Sequence, residues 1–444
     1  MHKRTSKWEK AQEGWELENR CWEYLKPLLE EFHRKVDRRL VKTLLDLVLV
    51  ILLHRNRNSG LLLSELGDHL LGGERGPAGV KRIASLVHSV RWKSSLIVNY
   101  LWQRADEKVK ELTEKQEAVY VIWDESVLEK SESLKAERLC AVRSTKAAHL
   151  KRIKPGYFNP PGGRPIFVPG FNWLQLLVTG MKGTPMLAHL HWWTTRGEHA
   201  SQKRVEEGHI LRKVARVWGR QVIHIWDRGF AGSPWTTLAL NYRLRFILRW
   251  NKQYHLVGPD GRKQEVWKIA RSKRSWDYRL VWDARRRCQR KTGILAFPVH
   301  LPDEDRKLFL VVSRPGYGRK PWYLLTNETI HTPDQAWKIV FAYARRWQIE
   351  MSLRFTKSEM AFESPRLLHW ESRLKFLLIA SLAYAFLLSL LPNTDILFRL
   401  LSTFCHRTGK WSQEISAPLY RLRLALSRLW LTFRPHSLPS LDSG

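Results

Sequence analysis

The chain has 444 residues, enough for two or three domains and a full-sized core, and 44% of them are hydrophobic, which excludes a disordered protein. Lys and Arg number 76 against 42 Asp and Glu, for a net charge of +34 and a pI near 10.3. The expected partner is therefore a polyanion, nucleic acid first and an anionic membrane surface second.

Cys21, Cys140, Cys288 and Cys405 stand far apart with no CxxC pair, which excludes a zinc ribbon and a disulfide framework and points to a reducing cytoplasm. The opening "MHKRTSKWEKAQEGWE" has no apolar core and does not read as a signal peptide. Residues 1–115 are expected to form a helical domain around the apolar-periodic run "VDRRLVKTLLDLVLVILLHR". The stretch "SELGDHLLGGERGPAGVKRIASLVHSV" then predicts a short helix, a Gly/Pro turn and a second helix bearing Lys81, Arg82 and His88. That is a helix-turn-helix outline, which makes Lys81 and Arg82 candidate DNA contacts in a major groove. Any short helical hairpin has the same outline, and the net charge is what favours DNA.

An α/β segment follows, 116–250. "AVYVIWDES" is a β-branched run ending in an acidic residue, and "KRIKPGYFNPPGGRPIFVPG" is a basic loop or arm suited to a nucleic-acid backbone. "FNWLQLLVTG" and "PMLAHLHWWTT" predict two strands joined by a short turn, and "SQKRVEEGHILRKVARVWG" an amphipathic helix capped by Ser201. "QVIHIWDRGF" is a second strand ending in aspartate, followed by a helix ("PWTTLALNYR") and a strand ("RFILRW").

Residues 251–330 read as a β-rich insertion with strands at "LVWDA", "LFLVVS" and "WYLLTN". Within it "RSKRSWDYRLVWDARRRCQR" sets eight Arg or Lys against Asp277 and Asp283, with Trp interleaved. Such a mixture suits backbone tracking and base stacking, or else a twisted sheet with Arg on its wet face. Residues 331–392 hold a polar helix and then "FLLIASLAYAFLLSLL", sixteen uncharged residues, shorter than the about 20 a membrane span needs and so expected as a buried core helix. A basic helical region, 393–444, closes the chain.

The polar helix, "YARRWQIEMSLRFTK", carries Tyr343, Arg346, Glu350 and Lys357 at offsets of 3, 7 and 14. At about 100° per residue these fall within an arc of about 60°, one narrow stripe. Taken alone, the stripe is a solvated face with an Arg346–Glu350 ion pair. Asp124 and Asp227, however, each end a strand, and sites form just beyond such strand ends. Neighbouring strands would bring the two together, and a helix across the sheet could add Glu350. Three carboxylates repel unless a cation joins them, and oxygen ligands select Mg²⁺, with Mn²⁺ as a substitute, for phosphodiester chemistry.

Y-(2)-R-(3)-E-(6)-K in 343–357 resembles the signature of DDE transposases of family four of the bacterial insertion sequences. "WDES" and "WDRGF" resemble that family's two aspartate motifs, "WYLLTNE" its strand before the glutamate helix, and the order of the elements matches over about 118–392. The resemblance implies an RNase H-like mixed-sheet core (116–250 and 331–392) interrupted by the β-rich insertion, with a helical N-terminal DNA-binding domain. It implies Asp124, Asp227 and Glu350 as catalytic metal ligands, with Tyr343, Arg346, Lys357 and Arg228 on DNA phosphates. Trp322 would receive a flipped base. It also implies a bacterial, cytoplasmic, nucleoid-associated enzyme without a membrane partner, acting as a homodimer on transposon ends and target DNA. Three other readings compete: zinc at His189, His191 and His199; a glycoside hydrolase, which +34 does not favour; and a non-catalytic, transposase-derived DNA-binding protein.

Overall fold

The computed structural model describes residues 7–130, 135–144, 165–283, 287–316, 318–405 and 418–433. The apolar periodicity of the first segment folds as α1 (Lys7–His33), α2 (Arg38–Leu53), α3 (Leu63–Leu71), α4 (Gly76–His88) and α5 (Ser95–Glu114). Asp37 starts α2, its carboxylate accepting the Leu40 backbone N–H at 3.0 Å. A Cβ on Gly79 would lie 2.2 Å from the Gly67 carbonyl oxygen, so α3 and α4 cross at a distance only glycine permits.

The β-branched runs form strands. They are β1 (Val119–Glu129), β2 (Cys140–Arg143), β3 (Phe167–Thr179), β4 (Met186–Trp193), β5 (Val222–Trp226) and β6 (Arg245–Arg249). Helix α6 (Lys203–Val217) crosses from β4 to β5 and α7 (Ser233–Asn241) from β5 to β6. Gln202, not Ser201, holds the cap position of α6 and makes no side-chain cap bond. The order is β4-β3-β1-β5-β6, with β3 antiparallel to β1 and β4, and β5 and β6 parallel to β1.

The remaining strands are β7 (His255–Val257), β8 (Lys263–Glu265), β9 (Asp277–Asp283), β10 (Cys288–Leu301), β11 (Glu304–Arg314) and β12 (Trp322–Thr326), with α8 (Val266–Arg271) after β8. They do not stand apart as a separate β unit. Strand β12 pairs antiparallel with β6, β11 with β12 and β10 with β11, so one mixed sheet continues through the segment expected to be an insertion. The α/β class expected from the sequence is the one observed. Of the basic arm, 151–164 lies outside the described residues, and Phe167–Gly170 belong to β3.

Apolar clusters cover both faces of the sheet, one under α1, α2 and the C-terminal helices, the other under α6, α7 and α8. The first is centred on α11 (Trp370–Leu390), the one described helix long and apolar enough to cross a membrane; 89% of its most apolar window is buried inside the protein. Helix α12 (Thr394–Phe404) and α13 (Pro418–Thr432) follow. Two of the arginines of α13, Arg421 and Arg423, are turned inward. Arg423, 1% exposed, donates to the carbonyl oxygens of Ile51 (2.8 Å), His54 (3.0 Å) and Glu359. The four cysteines are free.

Candidate functional site

Asp227 follows β5 directly and caps the short 3-10 turn Arg228–Phe230, accepting the Gly229 N–H at 2.6 Å. Asp124 is not at a strand end: β1 runs on to Glu129, but its parallel partner β5 pairs only as far as Ile122. Beyond Ile122 the β5 side of β1 therefore opens, and Asp124 and Asp227 sit at that opening.

The expected single polar helix is two. Helix α9 (Pro333–Ala344) and α10 (Trp347–Ser358) meet at Arg345–Arg346, where N–H groups bond three residues back: Arg345 to Ala342, Arg346 to Tyr343, Gln348 to Arg345. This tightened turn breaks the α-helical period that the stripe relies on. The cluster survives the break. Arg346, at the N-cap of α10, bonds Glu350 one turn on, lies 3.7 Å from Asp124 and sits 5.8 Å from the Tyr343 ring centroid. Tyr343 is buried and meets Trp322 edge-on at 5.2 Å, and Arg249 lies 5.9 Å over Trp322. Asp124, Asp227, Glu350, Arg346, Tyr343 and Trp322 are thus brought together. Arg228 is exposed beside Asp227, and Lys357 lies half-buried two turns beyond Glu350.

Two contacts position α10. Gln175, the register partner of Asp124 on β3, donates to the Ser352 hydroxyl at 2.5 Å. At the far end the fully buried Glu359 binds Arg55 and, at 3.2 Å, Arg57. Neither group is among the site residues expected from the sequence, although a glutamine inside the apolar run "FNWLQLLVTG" is a readable signal, because a buried amide needs a partner.

The Asp124 carboxyl is pushed up to about 7, by burial first and then by the negative charge of Asp227, with Glu350 adding in the same sense and Arg346 opposing. Burial likewise raises the Tyr343 phenol. Among the described residues no three His, Cys, Asp or Glu side chains are gathered tightly enough to hold a metal ion. Asp124 and Asp227 fit a hard cation as a pair, in donor chemistry and in their mutual repulsion. Glu350 does not join them here, because the Arg346 guanidinium holds it.

Lys81 and Arg82 separate. Lys81 is exposed on α4, whereas Arg82 turns inward, donating to Thr43 (2.8 Å) and pairing with the half-buried Asp46 (3.4 Å) of α2. Arg82 is therefore a tie between helices and is not presented to a groove. His191 bonds Glu206 at 2.6 Å, and His189 lies buried behind it.

No protein-family model matches the chain, and no curated protein matches its sequence. Among solved structures, a cryo-EM structure of a piggyBac transposase synaptic complex with hairpin DNA aligns with 92% of this chain and 74% of that one, at 13% identity and a TM-score of 0.43.

Proposed function

We propose that the chain is a DNA transposase that binds terminal inverted repeats, cleaves phosphodiester bonds and joins the 3′-ends to target DNA. The observation that carries this reading is the convergence, on one opening of the sheet, of Asp124, Asp227 and Glu350 with Arg346, Tyr343 and Trp322. The strand order β4-β3-β1-β5-β6, three antiparallel strands and then two parallel to the first, supports an RNase H-like core.

Asp124 and Asp227, joined by Glu350, would hold Mg²⁺. When bound, such ions activate water or a 3′-hydroxyl and stabilise the leaving oxygen. The chain's own residues do the rest. Arg346, with Lys357 and Arg228, holds phosphate oxygens near the scissile bond. On pairing with a phosphate, Arg346 gives up Glu350 and frees it to turn toward the aspartates. Trp322, edge-on to Tyr343, offers a face to an unstacked base. Two such sites on two DNA ends call for a homodimer.

One observation favours a second reading, a non-catalytic DNA-binding protein: Arg346 occupies two of the three carboxylates. A nicking assay on supercoiled DNA carrying the element's ends, with and without Mg²⁺, decides between them. Metal-dependent nicking that vanishes in Asp227→Asn and Glu350→Gln, with end binding retained, supports the enzyme. Binding without nicking in the wild type supports the second reading.

A further inference from the structure

Strand β9 is patterned inside out. Trp276, just before it, and Tyr278, Leu280 and Trp282 are 46%, 55%, 69% and 56% exposed. The intervening charged residues lie on the other face, half-buried and paired. Asp277 accepts the Trp337 indole N–H at 2.8 Å and pairs with Arg279 at 3.2 Å; Asp283 pairs with Arg290 (2.9 Å) and Arg319 (2.7 Å). A strand with one wet face normally buries its aromatics and solvates its charges. Here ion pairs hold the carboxylates away from the aromatic face.

What remains on that face is cationic. Lys291, the register partner of Leu280 on β10, lies 5.0 Å over the Tyr278 ring. At the start of the strand, Lys273 and Arg274 line with Trp276 a groove that runs round the sheet edge beside Phe297 and Phe309. The rings are also preset: a Cβ on Gly293, opposite Tyr278, would come within 2.8 Å of the tyrosine ring, so glycine lets that ring lie against the neighbouring strand. Side chains two residues apart on a strand stand about 6.8 Å apart, twice the about 3.4 Å rise of a stacked base, so a base fits between Trp276 and Tyr278. This face is separate from the Trp322 site. Register aligns Trp322, Ser313, Ile294 and Asp277 in one row across the sheet, so the β9 aromatics point to the opposite side.

We propose that β9 is a stacking platform for unpaired bases, binding a single-stranded DNA segment whose phosphates are met by Arg274 and Lys291. The proposal deepens the DNA-acting reading above and rests on it. Exposed aromatics interleaved with cations are the arrangement that binds single strands without sequence preference.

The test uses the full chain and a fluorescent oligothymidylate of about 12 nucleotides, with a duplex carrying the element's end titrated in parallel and self-association followed by sedimentation. The double variant Trp276→Leu/Trp282→Leu keeps apolar bulk and removes the rings. Oligothymidylate binding should weaken about 5- to 150-fold per base unstacked, and Trp276→Phe/Trp282→Phe should recover most of it. Undiminished binding in the leucine variant overturns the proposal. So does unchanged binding with lost self-association, which would make the face a contact between copies. A wild-type protein that binds the duplex but not the single strand sinks the platform and leaves the transposase reading standing. One that binds neither sinks both.

Discussion

Replacing Asp124 with asparagine should destroy cleavage and stabilise the fold, the second effect growing from about pH 4 to its full size above about pH 7. The carboxyl titrates near 3.8 in the unfolded chain and at about 7 in the folded one, because burial and Asp227 penalise its charge. Between these values the folded state holds the proton more tightly, so stability falls as pH rises from about 4 to about 7. Above that range the full penalty is present, at a ceiling of about 4 kcal/mol from about 1.4 kcal/mol per unit. The amide removes the penalty, and Arg346 keeps Glu350 as its partner. An unfolding entropy of about 2.1 cal/mol/K per residue over 444 residues converts that ceiling to a rise of about 4 °C in Tm. Melting of wild type and Asp124→Asn in EDTA, at pH 4.5 and pH 8, is the assay. A rise at pH 8 about four-fold larger than the rise at pH 4.5 is expected. Equal shifts at both values, or a fall at pH 8, would refute the electrostatic account, and metal-dependent nicking by the variant would remove Asp124 from the site.

DNA binding should weaken steeply with salt because each phosphate neutralised releases counterions; a flat plot of log K against log salt would contradict a phosphate-tracking surface. Trp322→Ala should slow a step after the first nick. Its half-buried ring should cost clearly less than the about 3–5 kcal/mol of a core tryptophan, so a large fall in Tm with normal activity per folded molecule would make it a packing residue. Arg82→Ala should lower stability by about 1–3 kcal/mol, since Asp46 keeps only Lys42, while Lys81→Ala should leave melting unchanged. Equal melting losses in the two would mean that the tie to Asp46 contributes nothing.

What could be read in the chain depended on whether the information was local. "VYVIW" and "VIHIW" each announce a strand as a short β-branched apolar run, and the aspartate after each is part of the same short word. The two-helix break at Arg345–Arg346 was not legible, because neither Gly nor Pro marks it and both sides keep helical residues. Strand β10 is hidden in the sequence for a different reason: it begins in the charged run "CQRK" and contains Pro298, a residue type confined mostly to edge strands. That β12 would join β6 and so merge the expected insertion into one sheet depends on register between distant segments, which no local pattern encodes. Arg82 shows the same limit on the scale of one side chain. Its cationic end looks available for DNA until α2 is seen to place Asp46 beneath it.

The acidic cluster is electrostatically unfinished in the free protein. Two half-buried aspartates are held in mutual repulsion, and Arg346, which lies against Asp124, also binds Glu350. An ordinary core would relieve such a conflict with an apolar residue or a full set of ion pairs, since buried like charges cost several kcal/mol. The chain instead fixes the conflict in place, through Gln175–Ser352 beside Asp124 and the Glu359 ion pairs at the end of α10. Rigid support of an unfavourable arrangement makes sense where an incoming group completes it. A DNA phosphate drawing Arg346 away would leave three carboxylates without a counter-charge, the state in which a divalent cation binds best. On the proposed reading, substrate and cation would each improve the site for the other, and the strain at rest would keep the site incomplete until DNA binds.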